Sequence, residues 1–126
     1  MTTTTDRRVE DFTIVRLLSK ALDVENKINA TLRANKLPVA TAAQTRTLLL
    51  LEGGKISSPK QIAARLHTRN HTLSGILRKL EARRLITRKV DIFDRRRTIV
   101  SLTVDGTAQL EMLHAIMEAV EQEMTR

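Results

Sequence analysis

The chain has no cysteine, tryptophan or tyrosine, and only two phenylalanines, two prolines and four glycines among 126 residues. Each scarcity removes a class of function. Without thiols there is no disulfide framework, cysteine nucleophile, thiolate-bound zinc or thiol redox sensor, and a reducing cytoplasm is the expected location. With two phenylalanines as its only aromatics, the chain lacks the multi-residue stacking platform that RRM and OB-fold modules lay under single-stranded nucleic acid. No apolar run approaches the roughly 18 residues of a membrane span. The opening MTTTTDRR lacks the apolar region of a signal peptide, so residues 1–5 are expected to be a disordered start. Gly-rich phosphate loops are missing, and no His falls in a pattern with a carboxylate and a nucleophile, so an enzyme is not expected. His67 and His71 stand four apart but straddle a turn and lack further ligands. Neither a metal nor a cofactor is expected on them.

Positive charge is what the chain has in excess: 22 Lys and Arg against 14 Asp and Glu, a net +8 and a pI near 10.8. It is also segregated. Residues 65–97 hold eleven basic residues against three acids, whereas residues 98–126 hold one against five. The middle of the chain therefore carries the whole net charge, which points to a polyanionic partner on that part of the surface. The length suits a single domain with its own core.

The apolar periodicity predicts a mainly α protein with one small β-hairpin. A first helix is expected from Asp6 to about Asn35, with Ile14, Leu17, Ala21, Val24, Ile28 and Leu32 on one stripe and Phe12, Val15 and Leu22 widening it. Pro38 forbids its continuation. Thr41 and Gln44 have the spacing of a capping box for a second helix through LLLLE, stopped by Gly53-Gly54. Ser58, Pro59 and Gln61 repeat that signal for a third. A short link, about His67 to Asn70, leads to a fourth helix whose buried face is Leu73, Ile76, Leu77 and Leu80, ending near Arg83 or Arg84. Two helices so joined predict a helix-turn-helix. LITRKV, a polar tip IFDRR and TIVSLT then have the alternation of a hairpin. Thr103 is a natural N-cap for the last helix, along which Leu110, Leu113, Met117, Val120 and Met124 form a coiled-coil-like seam.

The stretch HTLSGILRKLEARRLITRKVDIFDRRRTIVSLTVDG resembles the signature of MarR-type bacterial transcription regulators, whose wing carries Asp-x-Arg, five further residues and Leu-Thr. Asp94, Arg96, Leu102 and Thr103 stand at that spacing. One departure is Arg84, where the family commonly has Gly before Leu85; a left-handed residue there would cost about 1 kcal/mol. The resemblance implies a winged helix-turn-helix in a single domain of residues 6–126. Residues 41–103 would be the DNA-binding region, and 6–40 with 104–126 the dimerisation helices. It implies a homodimer on a pseudo-palindromic operator of double-stranded DNA, acting as a repressor. Many relatives also answer to a small-molecule effector, whose identity nothing here names.

With the apolar face of the fourth helix buried, Asn70, His71, Thr72, Ser74, Gly75 and Arg78 are left to face the major groove. The types suit that task, since Asn can pair bidentately with adenine, Arg with guanine, and Ser or Thr with bases or phosphates. Arg69, Lys79, Arg83, Arg88 and Lys89 are expected as phosphate contacts or solvated charge. In the wing, the resemblance implies that Arg96 enters the minor groove with Asp94 orienting its guanidinium, while Arg95 and Arg97 neighbour phosphates. Phe12, Val15, Leu110, Leu113, Met117, Val120 and Met124 are expected at the dimer seam. The competing reading is a winged-helix module for protein association or for architectural DNA binding without sequence preference. It shares the fold and the charge, so only a specificity ratio separates the two.

Overall fold

A computed structural model of the chain describes residue 8 and residues 12–124. The elements, in order, are α1 (Thr13–Ala34), α2 (Ala42–Leu50), a single 3₁₀ turn (Glu52–Gly54), α3 (Pro59–Leu66), α4 (Asn70–Ala82), β1 (Ile86–Val90), β2 (Thr98–Leu102) and α5 (Val104–Met124). The strands form one antiparallel hairpin in which Ile86 faces Leu102 and Val90 faces Thr98. The architecture is the expected winged helix-turn-helix flanked by two long helices. No helix among the described residues is long and apolar enough to cross a membrane. The chain divides into two compact units, residues 40–115 and a second made of the N-terminal segment to Val39 with the chain from Ile116.

In the unit of residues 40–115, Leu48, Leu51, Ile62, Leu73, Leu77, Leu80, Leu85, Ile86, Val100, Leu110 and Leu113 are buried. The expected buried face of α4 is present, with Ile76 only half-buried. Thr41 caps α2 by accepting from the Gln44 N–H at 3.1 Å, but the capping box is half made. Gln44 is buried, and its Oε1 accepts from Arg83 Nη1 at 3.0 Å, tying the start of α2 to the end of α4. At α3 the box is complete: Ser58 Oγ accepts from the Gln61 N–H, and Gln61 Oε1 accepts from the N–H groups of Ser57 and Ser58. Solvent exposure explains the difference, because the Gln61 pair has no buried donor competing for its amide.

In the second unit, Ile28, Leu32 and Val120 are buried, and Lys27 of α1 pairs with Glu123 of α5 at 2.7 Å. The first helix starts later than expected. Residues 6, 7 and 9–11 lie outside the described residues, as does the disordered start expected at 1–5. Arg8 and Phe12 are described and are not helical. Phe12 is the N-cap in an extended conformation and offers no side-chain acceptor; the apolar stripe that gives the helix a face to bury begins only at Ile14. The other end also differs. Lys36 takes a positive φ of 59°, and its N–H donates to Arg33 O while that of Leu37 donates to Leu32 O. This Schellman turn closes α1 before Pro38 can act.

Ile14, Leu17, Leu18 and Leu22 on α1 are 56% to 66% exposed. At 100° per residue they share a face with buried Ile28 and Leu32. The apolar face is thus buried at the C-terminal half of α1 and open at the N-terminal half, with Glu25 lying between the two parts.

Candidate nucleic-acid interface

Everything expected to meet DNA falls within residues 40–115, and local chemistry sets its geometry. His67 ends α3 in the left-handed conformation, φ 52° and ψ 45°, which reverses the chain within the three residues before Asn70 and sets α4 against α3. Val100 N–H donates to Ser57 O at 2.6 Å, so the segment that caps α3 lies along the free edge of β2. The N-terminus of α3 and the wing are thereby held in one register.

The turn from α4 into β1 answers the question raised by Arg84. Its φ is +60°; the Arg84 N–H donates to Glu81 O at 2.9 Å and the Leu85 N–H to Leu80 O at 3.0 Å. The left-handed turn is kept although the residue is not glycine. Thr103 helps hold it. Its hydroxyl donates to Arg84 O at 2.6 Å and accepts from the Gly106 N–H at 3.0 Å, and its own N–H donates to Leu85 O. One threonine thus caps α5 and braces the turn into the wing. Gly106 is required at this joint: a Cβ there would stand 2.0 Å from Leu85 O, well inside van der Waals contact.

On α4, Asn70, His71, Thr72, Ser74 and Arg78 are exposed and Gly75 is half-buried. Ser74 Oγ donates to Asn70 O at 3.1 Å, which leaves its lone pairs outward. The wing tip is stapled by its two acids. Asp91 Oδ1 accepts from the Phe93 N–H at 2.9 Å, and Asp94 Oδ1 accepts from both the N–H and the Nε of Arg96, at 3.1 and 3.2 Å. Arg96 is 92% exposed even so. The carboxylate orients the guanidinium and leaves its outer edge available. A pair this exposed contributes little stability, so its consequence is directional.

A cleft of about 450 Å³ brings the two parts together. It is lined by Asn70, Leu73, Ser74 and Leu77 of α4, by Arg88, Arg96, Arg97 and Thr98 of the wing, and by Ser58, Pro59 and Lys60 at the start of α3. His71, Thr72, Gly75, Arg78 and Arg95 do not line it. Arg69, Lys79 and Lys89 are exposed. Two of the cations expected near phosphates have partners inside the chain. Arg88 gives its Nε and Nη2 to Glu81 Oε1 at 3.1 and 2.8 Å, and Arg83 holds Gln44. The partner of Arg83 lies 39 residues away and that of Arg88 seven residues back, across the turn from α4 into β1. Lys60 was missed as a cleft residue; it follows Pro59 in the first turn of α3, where Ser-Pro-Lys is a sequence signal for an exposed cation.

The tip is also less polar than its sequence suggests. Ile92 and Phe93 are 84% and 92% exposed, two apolar side chains in what the arginines made look like a charged turn. Among the seam residues, Leu110, Leu113 and Val120 are already buried in this single chain, Phe12, Val15 and Met117 are half-buried, and the Met124 side chain lies outside the described set. His114, on α5, contacts Glu52.

The model of the MarR family matches residues 40–97. No curated protein sequence matches the chain significantly. Among solved structures, the chain is similar to MepR of Staphylococcus aureus, a transcription regulator of the multidrug efflux pump MepA, with 28% identity, a TM-score of 0.69, and 89% of this chain and 79% of that one covered. A complex of MepR with DNA matches at 29% identity and a TM-score of 0.70, covering 91% and 84%. BpsR of Bordetella bronchiseptica, whose DNA binding is regulated by 6-hydroxynicotinic acid, matches at 26% identity and a TM-score of 0.65, covering 93% and 81%.

Proposed function

The chain is a MarR-type winged helix-turn-helix transcription regulator, and from that premise we propose that it is a repressor that binds a pseudo-palindromic operator as a homodimer, α4 in the major groove and the wing in the minor groove. The observation that carries this reading is the shared cleft: Asn70 and Ser74 of α4 open onto the same concavity as Arg96 and Arg97. A base-reading helix and an oriented minor-groove cation can therefore engage one duplex together. Arg69, Lys79, Lys89, Arg95 and Arg97 add phosphate contacts and steering, with Lys60 joining them. Arg83 and Arg88 act first as internal ties.

Dimerisation through the terminal helices is supported by the open apolar face of α1, where Ile14, Leu17, Leu18 and Leu22 are all more than half exposed. A contiguous patch of this kind is what a second copy covers in a twofold dimer. Half-sites would then lie about one turn of DNA apart, roughly 10 base pairs. A small-molecule effector belongs to the same reading, because the DNA binding of BpsR is regulated in that way, and the near absence of aromatics would make its site aliphatic.

The test is selection of bound fragments from a random pool, followed by sedimentation of the complex. The expected outcome is an inverted repeat occupied by two chains, with Leu17→Glu and Leu22→Glu yielding monomers. Enrichment of no sequence, or a wild type that sediments as a monomer on a single half-site, would refute the corresponding part.

A further inference from the structure

Phe93 is the most exposed large hydrophobic side chain among the described residues, and Ile92 beside it is nearly as open. Their backbone is not loose. Asp91 Oδ1 accepts from the Phe93 N–H, the Asp91 N–H donates to Arg97 O, and the Arg97 N–H donates to Asp94 O, both at 2.9 Å. A tip pinned at both ends presents its apolar corner outward.

The company of that corner selects its partner. Arg95, Arg96 and Arg97 follow within four residues and are all exposed, so whatever meets the tip is anionic. A duplex fits better than an anionic lipid surface, because Arg96 and Arg97 share their cleft with Asn70 and Ser74, polar groups suited to base edges and useless against acyl chains. Apolar side chains flanked by cations are what minor-groove proteins use to unstack a base step and bend the helix. We propose that the Ile92–Phe93 corner is such a wedge: resting on the DNA-binding reading above, the Phe93 ring enters a deformable pyrimidine–purine step flanking the half-site, and the duplex bends around the wing.

The experiment uses the full chain and its selected operator, with 2-aminopurine placed at successive flanking positions and a fluorophore pair at the duplex ends. The wild type should raise 2-aminopurine fluorescence at one flanking step and shorten the end-to-end distance. Phe93→Ser should abolish both signals and weaken operator binding on the order of tenfold, the scale of one lost aromatic–base contact, while Phe93→Leu keeps most of each. The thermal midpoint should not move, since the ring touches solvent. A wild type that prefers its operator without either signal, or a Phe93→Ser variant that keeps both, would overturn the wedge. Vesicle binding by the wild type that is lost in Phe93→Ser, with the DNA signals unchanged, would overturn it in favour of a membrane contact. Unstacking and bending on every duplex without sequence preference would support the wedge and refute the operator-specific reading instead.

Discussion

Replacing Gly75 by alanine should stabilise the protein and weaken its grip on DNA at the same time. Gly75 lies inside α4, and a Cβ built on it meets nothing within 4 Å. Among the described residues, the glycine has no steric reason to be there. An interior helical glycine costs about 1 kcal/mol relative to alanine, because the unfolded chain loses more freedom on folding. Gly75→Ala should therefore gain most of that, raising the melting midpoint by roughly 3–6 °C for a chain of this size. On a helix its surface neighbours at three and four residues are His71, Thr72, Arg78 and Lys79, all exposed. The empty space above Gly75 is thus central to the face that approaches base edges. A methyl group forced into a close interface costs about 1–3 kcal/mol, which is roughly 5- to 150-fold in operator affinity. Thermal unfolding at fixed protein concentration and fluorescence anisotropy on operator and random duplexes measure both effects. A stabilised variant with unchanged operator affinity would show that no base approaches Gly75. A lowered midpoint would show that the space is not free.

Arg96→Ala should weaken operator binding by about 1–3 kcal/mol and erase preference for A·T-rich flanks, whereas Arg95→Ala should weaken all duplexes alike and lower the salt slope by roughly one; a salt series on both duplexes separates them, and equal behaviour of the two would reduce the run to an undifferentiated basic patch. Asp94→Asn should reproduce part of the Arg96 loss, since it removes the carboxylate that holds Nε, and an unchanged flank preference would show that the guanidinium needs no orientation. Arg84→Gly should stabilise the fold by at most about 1 kcal/mol in urea unfolding, because the strain of the positive φ of 60° is relieved and only partly offset by the greater unfolded-chain freedom of glycine; a loss of stability would mean that the arginine side chain and that freedom outweigh the backbone strain. Gly106→Ala should destabilise by at least about 2 kcal/mol, as the new methyl would overlap Leu85 O, and a wild-type midpoint would contradict the close approach at that joint.

Sequence alone determined the features that depend on residues close together in the chain. The α3 capping box of Ser58 and Gln61 formed as its spacing predicts, because both partners sit in one turn and nothing buried competes for them. The order of helices and hairpin was legible for the same reason, whereas the Asp94–Arg96 pair, though its partners are two residues apart, was expected only from the family resemblance. Tertiary structure decided wherever a side chain had a choice between a local partner and a distant one. Gln44 has the same capping spacing as Gln61, yet burial hands it to Arg83, 39 residues away; a buried amide left without a strong donor costs more than half a capping box. Arg88 pairs with Glu81 because the turn from α4 into β1 brings strand and helix side by side. Arg84 keeps a glycine's conformation because Thr103, 19 residues on, holds its carbonyl, and no local propensity contains that bond. The apolar pair at the wing tip was hidden by the charge around it, since composition marks a turn as polar while only the folded hairpin shows that Ile92 and Phe93 are left exposed among the described residues. Periodicity likewise marked the apolar stripe of α1, but only packing divides it into a buried half and an open one, because burial is a property of what lies opposite and not of the residue itself.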